Sequence, residues 1–290
     1  MGLQKEKLLD VVQVTEVSTT TGEAFTYEKN IYDKEIHQAN VEYKLSEKEL
    51  HQYINEEIGS FFFLFYRKLD ELDMKEQHKA RFIYLASFLD YDSNNIIDKV
   101  NGKKLGITTM VLKDYLGLKD TEFKATIKSL RDNGLLIKEK MYYRLNTDYC
   151  FKGTVNKKND YTRVFVDTIK NLYINTKPIH HKQLYYFFKL LPCVNLQFNI
   201  ITKDIKEETS DNIRPMSMKD ICEYLNVNTK DTKKMFNTLN RFMIGDEYVI
   251  CKHVVHNMDA YSINPKLYYM GTQINNLLAI INLFEMAKGH

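Results

Sequence analysis

Two groups of cationic and amide side chains in this chain fall at helical spacing. Lys124, Lys128 and Arg131 recur at i, i+4 and i+7, with Thr121 just ahead of them, and Lys138, Lys140 and Arg144 follow in a stretch that alternates like a hairpin. Further on, Lys230, Lys233, Lys234, Asn237, Asn240 and Arg241 form a second group, followed by Lys252 and His253. Lysine and arginine in such stripes neutralise phosphates. Lys128 and Arg131 are also of the type that binds guanine, and Asn237 and Asn240 of the type that bonds adenine through two hydrogen bonds. This is the chemistry of binding a polyanion, without making or breaking covalent bonds.

Bond-breaking chemistries find less support. His253-Val254-Val255-His256 has two residues between its imidazoles, so a regular strand points them to opposite faces, which is poor for holding a metal. His78-Lys79-Ala80-Arg81 has the H-x-x-R spacing of tyrosine recombinases, with Tyr115 downstream, but Tyr115 sits where a related segment carries Tyr224, which points to packing. Gly102-Lys103-Lys104 lacks the leading glycine and the hydroxyl of a phosphate-binding loop, so ATP use is not expected. Glu56 and Glu57 are neighbours along a helix and do not share a face. No enzyme activity, cofactor or metal is therefore expected.

The elements that position the two cationic groups repeat. Leu112 to Leu118 matches Ile221 to Val227, with Tyr-Leu in register at an offset of 109, and Tyr143-Arg144-Leu145-Asn146 matches Tyr261-Ser262-Ile263-Asn264 at an offset of 118. Phe151-Lys152-Gly153-Thr154 and Tyr269-Met270-Gly271-Thr272 share that second offset. Each repeat reads as helix, tight turn, helix and two-stranded ribbon. In the first, Gly117 supplies the turn, Asp120 or Thr121 caps the next helix, and Phe123, Ile127 and Leu130 face a core. Gly134 then ends the helix, and the ribbon runs over 135–138 and 141–145. In the second, Asn228 with Asp231 caps the helix, Phe236, Leu239 and Phe242 or Met243 face inward, and the hairpin of 247–252 and 260–264 has a long tip holding Lys252, His253 and His256.

Helical sequence at 78–89 precedes the first repeat, and 161–173 and 182–191 precede the second. The front of the chain reads as an extended segment over 12–32, then a helix opened by Ser46 with Glu49 that runs into the aromatic block near Phe61. Ile274, Leu277, Leu278, Ile281 and Phe284 give a C-terminal amphipathic helix, a surface suited to a homodimer. The expected division is an acidic extension and helix over 1–75, winged-helix domains over 76–154 and 155–272, and the helix over 273–290. The fold class is mostly α with small β wings, as two tandem winged helix-turn-helix domains.

The net charge of +3 conceals an asymmetry. Residues 1–76 hold 9 Lys and Arg against 16 Asp and Glu, whereas the rest holds 32 against 22, so the basic part is where a polyanion would bind and the acidic part where replication or transcription machinery would. The longest apolar stretch, Phe61 to Tyr66, is far too short to span a bilayer, so no membrane contact is expected. No secretory leader follows Met1, and the four widely spaced cysteines read as reduced, mostly buried thiols, which suits the cytoplasm. The 20 tyrosines read as core and strand residues more than as stacking platforms for single strands.

A helix of this kind fits the major groove while an adjoining hairpin touches phosphates or the minor groove. Tyr261-Ser262-Ile263-Asn264-Pro265-Lys266-Leu267-Tyr268-Tyr269-Met270-Gly271 resembles the end of the winged-helix domain in RepL-type plasmid and phage replication proteins and related MarR-like regulators. There an Asn-Pro after the last wing strand precedes two aromatics and a Gly. The first repeat has Leu145-Asn146-Thr147-Asp148-Tyr149-Cys150-Phe151-Lys152-Gly153, with Thr for Pro, and the doubling itself is similar to plasmid initiators with two winged-helix domains. The resemblance implies sequence-specific binding of double-stranded DNA in replication initiation or transcriptional control of a phage or plasmid. The other expectation to weigh is a winged-helix protein-interaction module without specific DNA binding, its lysine stripes masked by the acidic front segment.

Overall fold

The computed structural model of the chain describes residues 8–17, 24–32, 34–100, 103–139, 142–154 and 161–287. It forms two compact units, one of residues 1–54 with 272–274 and one of 55–271 with 275–290. Helices alternate with small antiparallel sheets. Among the described residues no helix is long and apolar enough to cross a membrane.

In the first unit β1 (Leu8–Val17) pairs with β2 (Ala24–Tyr32), Val14 opposite Tyr27, and α1 (Lys34–Tyr53) follows. The helix does not open at Ser46. Residues 34–45 contain no Gly or Pro and are rich in good helix formers, so winding begins at Lys34 and Ser46 lies in its interior.

The second unit contains two stretches that share a helix pair followed by an antiparallel hairpin. The first half runs β3 (Phe61–Leu64), α2 (Tyr66–Asp70), α3 (Glu76–Ala86), β4 (Ile97–Val100), β5 (Lys103–Gly106), α4 (Thr109–Leu116), α5 (Asp120–Asp132), β6 (Leu136–Glu139), β7 (Tyr142–Leu145) and β8 (Cys150–Phe151). The second runs β9 (Thr162–Phe165), α6 (Val166–Asn175), α7 (His181–Lys189), α8 (Met218–Tyr224), α9 (Thr232–Leu239), β10 (Met243–Ile244), β11 (Glu247–Tyr248), β12 (Ile250–Val255) and β13 (Met258–Ile263), before α10 (Ile274–Ala287).

The repeat extends to individual hydrogen bonds. Asn94 and Asn199 are both fully buried, and both adopt left-handed φ, 55° and 53°. The Asn94 side-chain amide donates to the carbonyls of Leu145 and Cys150, and that of Asn199 to those of Ile263 and Tyr268, at the sequence offset of 118. The tight turn after the first helix of each pair is left-handed at Gly117 and at Asn226, the two residue types that tolerate it best.

Strand β3 pairs antiparallel with β9, Phe61 opposite Phe165, Phe62 opposite Val164, Phe63 opposite Arg163 and Leu64 opposite Thr162. The N–H of Phe65 donates to Tyr149 O and that of Phe165 to Leu267 O, which makes Phe65 and Phe165 equivalent and sets Phe63 across from its own counterpart, Arg163. The pairing is thus symmetric about one residue pair, as in an isologous dimer. Helices α3 and α7 also pack on each other, and one hydrophobic core runs through both halves.

This pairing crosses the divisions expected at residues 75 and 154. Phe61–Leu64 forms the central strand of the three-stranded sheet β8-β3-β9, and Thr162–Phe165 is a strand before the helix expected over 161–173 begins. Short apolar runs carry no period that separates strand from helix, so both segments read as helical in sequence.

The helices turn other faces inward than their sequence spacing suggested. Thr126 joins Phe123 and Leu130 in the buried face of α5 while Ile127 is half-exposed. In α9 Met235 is buried with Leu239, Phe236 is half-buried against Tyr261 (ring centroids 5.7 Å apart), and Met243 beyond the helix is exposed. In α10 Leu277, Ile280 and Phe284 are buried, while Leu278 is exposed. Of the apolar residues that sequence assigned to this face, Leu277 and Phe284 are thus buried, Ile274 and Ile281 half-buried and Leu278 exposed. All four cysteines are free, and Cys150, Cys222 and Cys251 are buried.

Candidate nucleic-acid interface

Helix α5 is held from below by a buried arginine. Arg81 of α3 has no exposed surface. Its Nη1 donates to Thr126 Oγ1 at 2.8 Å, its Nη2 bonds the Glu122 carboxylate, and its Nε donates to Nδ1 of His181 on α7 at 3.2 Å. His181 Nε2 lies 3.1 Å from Thr176 O and, with Nδ1 accepting, is the protonated nitrogen. Burial first, then the adjacent Arg81 charge, pushes the imidazole down to about 4, and His78 is pushed to about 4 by the same two causes. Of the H-x-x-R spacing, Arg81 thus bonds across to the other half, and His78 is buried on the same helix. Tyr115 stacks on Phe88, 4.7 Å between centroids.

Held this way, the other face of α5 opens into a cleft of 1060 Å³. Lys124, Lys128 and Arg131 of α5 line it together with Lys138 of β6. All four are exposed, and among the described residues none forms an ion pair. A fifth cation on the rim, Lys113 of α4, is paired with Asp120 at 2.5 Å, which raises the lysine and lowers the carboxyl through their hydrogen bond. Tyr143 fixes the hairpin to α4, its hydroxyl 2.8 Å from Thr109 Oγ1. Met110, three-quarters exposed, stands at the α4 edge.

The remaining candidates of the first repeat lie elsewhere. Thr121 is exposed on the first turn of α5 but does not line the cleft, and neither Asp120 nor Thr121 caps the helix, whose N-cap position is Lys119. Arg144 of β7 is paired with Glu139 at 2.9 Å across the hairpin. Lys140 lies outside the described residues.

In the second half, the fully buried Leu239 occupies the place of Leu130, which aligns Lys233 and Asn237 with Lys124 and Lys128, and Asn240 with Arg131. Lys233 and Asn237 are exposed. Asn228 Oδ1 accepts from Lys230 N at 3.0 Å and so caps a 3₁₀ turn, Thr229–Asp231, ahead of α9. The capping box sits earlier, between Ser217 and Asp220 at the start of α8. Lys234 points to a different cavity, of 190 Å³, shared with Gln183 and Tyr186 of α7. Asn240 is half-buried where α9 ends, and Arg241 approaches the His180 ring within 3.4 Å in a separate 570 Å³ cleft.

The second hairpin departs from its sequence reading. Lys252 and His253 lie within β12, opposite Tyr261 and Ala260, and the tip is the two-residue turn His256–Asn257 with φ of 49° and 62°. Such a turn is the form favoured by hairpins with two-residue loops, so pairing continues to Val255 and leaves no long tip. Lys252 is paired with Asp259 at 2.7 Å, which raises it. His253 Nε2 lies 2.8 Å from Ser262 Oγ and the ring is lowered by burial, while His256 Nε2 lies 3.1 Å from Ser210 O. The two imidazoles therefore have separate partners, and among the described residues no cluster of His, Cys, Asp and Glu could hold a metal ion.

Sequence reasoning flagged Arg81 for a catalytic spacing and missed its role in placing α5. Its signal was a charged residue in a segment otherwise rich in apolar and small residues, Phe82 to Ala86. Comparison with protein-family models, curated proteins and solved structures returns no match for this chain.

Proposed function

We propose that this chain binds double-stranded DNA sequence-specifically through two winged-helix heads, with α5 and α9 as the groove-reading helices and the β6–β7 and β12–β13 hairpins as wings. The observation that carries this reading is the cleft in which Lys124, Lys128, Arg131 and Lys138 converge without an ion pair among the described residues, four cations beside the two acids of the lining, Asp120 and Asp132, of which Asp120 is paired with Lys113. Four exposed cations in a trough between a helix and a hairpin suit a phosphate backbone running past an inserted helix. The symmetric β3–β9 pairing supports two heads in one chain, facing dyad-related half-sites.

The heads differ in what they offer. The first presents lysines and an arginine, which suit phosphate and guanine. The second presents Lys233 and Asn237, with Asn240 at the helix end, which suits adenine. We infer from the resemblance to RepL-type and MarR-like proteins a role in replication initiation or transcriptional control of a phage or plasmid, in the cytoplasm, with the acidic front segment as the contact for the machinery recruited.

Selection of bound fragments from random duplex DNA at near-physiological salt tests the reading. An enriched sequence supports it. Recovery without enrichment, with binding lost at moderate salt, overturns it in favour of a protein-interaction module.

A further inference from the structure

The two halves place the same backbone at Phe88 and Cys193. The N–H of Phe88 donates to Leu85 O and its carbonyl accepts from Ile97 N. The N–H of Cys193 donates to Leu190 O and its carbonyl accepts from Thr202 N, every partner shifted by 105. In the first half the Phe88 ring fills the space beside this backbone. It stacks on Tyr115 at 4.7 Å, meets Tyr84 edge-on at 5.2 Å, and lies under the Lys170 ammonium at 4.4 Å.

In the second half the places of Tyr115 and Tyr84 are taken by Tyr224 and Lys189, and a thiol stands where the ring would be. The space left is a cavity of 320 Å³ lined by Tyr66, Asp70, Tyr185, Lys189, Cys193 and Tyr224 among others, at the lower end of the ~300–1,000 Å³ typical of ligand pockets. Lys189 Nζ lies 5.7 Å from the Tyr224 ring centroid and 3.0 Å from Asp70 Oδ2, and the Tyr185 hydroxyl donates to Asp70 Oδ1 at 3.1 Å. Tyr66 is 4% exposed, yet its hydroxyl has no hydrogen-bond partner. Tyr66, Tyr185 and Tyr224 all line this one space, and burial raises each of the three phenols. A buried phenol without a partner is costly, and a ligand atom that reached it would relieve that cost.

We propose that this cavity binds a nucleobase, stacked on Tyr224 as Phe88 stacks on Tyr115, with its polar edge hydrogen-bonded to the Tyr66 hydroxyl and the Asp70 carboxylate. The cavity asks for a flat ring, because its twin in the other half is filled by one. The ring must carry a hydrogen-bond acceptor for a phenol and a donor for a carboxylate on its edge, a combination that the edges of adenine, guanine and cytosine present and that a plain phenyl ring lacks. Stacking on tyrosine supplies affinity for any of the bases. The base has two possible sources, a free nucleoside or nucleotide and an unpaired base of a strand. The assignment does not depend on the groove-reading helices.

Saturation-transfer NMR and calorimetry on the full chain test it, with adenosine, guanosine, cytidine and their 5′-monophosphates as one arm and a short single-stranded oligonucleotide of mixed sequence as the other. The proposal expects saturable binding in at least one arm. Cys193→Phe, which rebuilds the Phe88 arrangement, should abolish it while leaving Tm equal or higher, and Tyr66→Phe should weaken it roughly three- to tenfold. Saturation by nucleosides identifies a free ligand, and saturation by the oligonucleotide alone identifies a base within a strand. No saturable binding in either arm, or binding that Cys193→Phe and Tyr66→Phe both leave unchanged, overturns the proposal. Should Cys193→Phe fail to fold, Tyr66→Phe decides alone.

Discussion

Nε of Arg81 donates to Nδ1 of His181 at 3.2 Å across the packing of α3 on α7, so a residue of one half fixes the tautomer of a residue in the other. Through Glu122 and Thr126 the same guanidinium holds α5, whose far face carries the cationic cleft. Arg81 is thus one of the links between the halves, beside the β3–β9 strand pair and the Tyr173 hydroxyl, which donates to Leu116 O at 3.0 Å.

Arg81→Met should be strongly destabilising. Most of the loss comes from the hydrogen-bond partners left buried in the interface, Thr126 and His181, and from space the methionine does not fill, and is expected at about 3–5 kcal/mol. Glu122→Gln keeps a hydrogen-bond acceptor near the arginine but leaves that charge unpaired. Arg81 is fully buried, so the charge left without its carboxylate is costly, while the exposure of Glu122 limits the loss to about 1–3 kcal/mol, below that of Arg81→Met. Denaturant melts of the two variants check the order.

Stability should fall as pH falls from about 6.5 to about 4. The unfolded chain protonates His181 and His78 near 6.5, whereas burial and Arg81 hold both to about 4 in the folded state, so through that window the unfolded state binds more protons. Above pH 6.5 both states are neutral and the slope from these groups vanishes. His181→Gln should lower stability at pH 7 and flatten the slope in this window, read by urea melts at half-unit pH steps.

Asn94→Ala and Asn199→Ala should be similarly costly. Each removes an amide that satisfies two buried carbonyls and places a Cβ-bearing residue less suited to left-handed φ at the same kind of turn. About 2–4 kcal/mol is expected for each, measured by Tm and denaturant midpoint. A large effect at one position with none at the other would contradict the equivalence of the halves.

In DNA binding, Lys128→Ala should reduce the salt dependence of affinity by about one ion, and Lys252→Ala, whose ammonium is already paired with Asp259, by much less. Asn237→Ala should alter sequence preference while leaving the salt slope nearly unchanged. Fluorescence anisotropy on a selected duplex from about 50 to about 200 mM salt separates the three.

Much of the architecture was legible in the residues. The offsets of 109 and 118 located both helix pairs and both hairpins, since the turn at Gly117 and Asn226 and the matched asparagines at 146 and 264 are fixed by local backbone needs that sequence records directly. The symmetric strand pair β3–β9 was not legible. Four-residue apolar runs have no readable period, and their partner lies a hundred residues away. Of the candidate site, Lys124, Lys128, Arg131 and Lys138 converge because helix period and hairpin position suffice to place them. Lys252, His253 and Arg241 do not join such a cleft, because their placing depends on wing register and on a neighbour, His180, from a distant segment.

Hydroxyl-radical footprinting of the intact chain on its selected duplex shows whether one chain carries two reading heads. Two dyad-related heads in one chain predict two protected blocks about one helical turn apart, with unlike sequences in opposite orientation, from one chain per duplex. A single block, two blocks in the same orientation, or uniform protection without sequence preference would rule out two dyad-related heads.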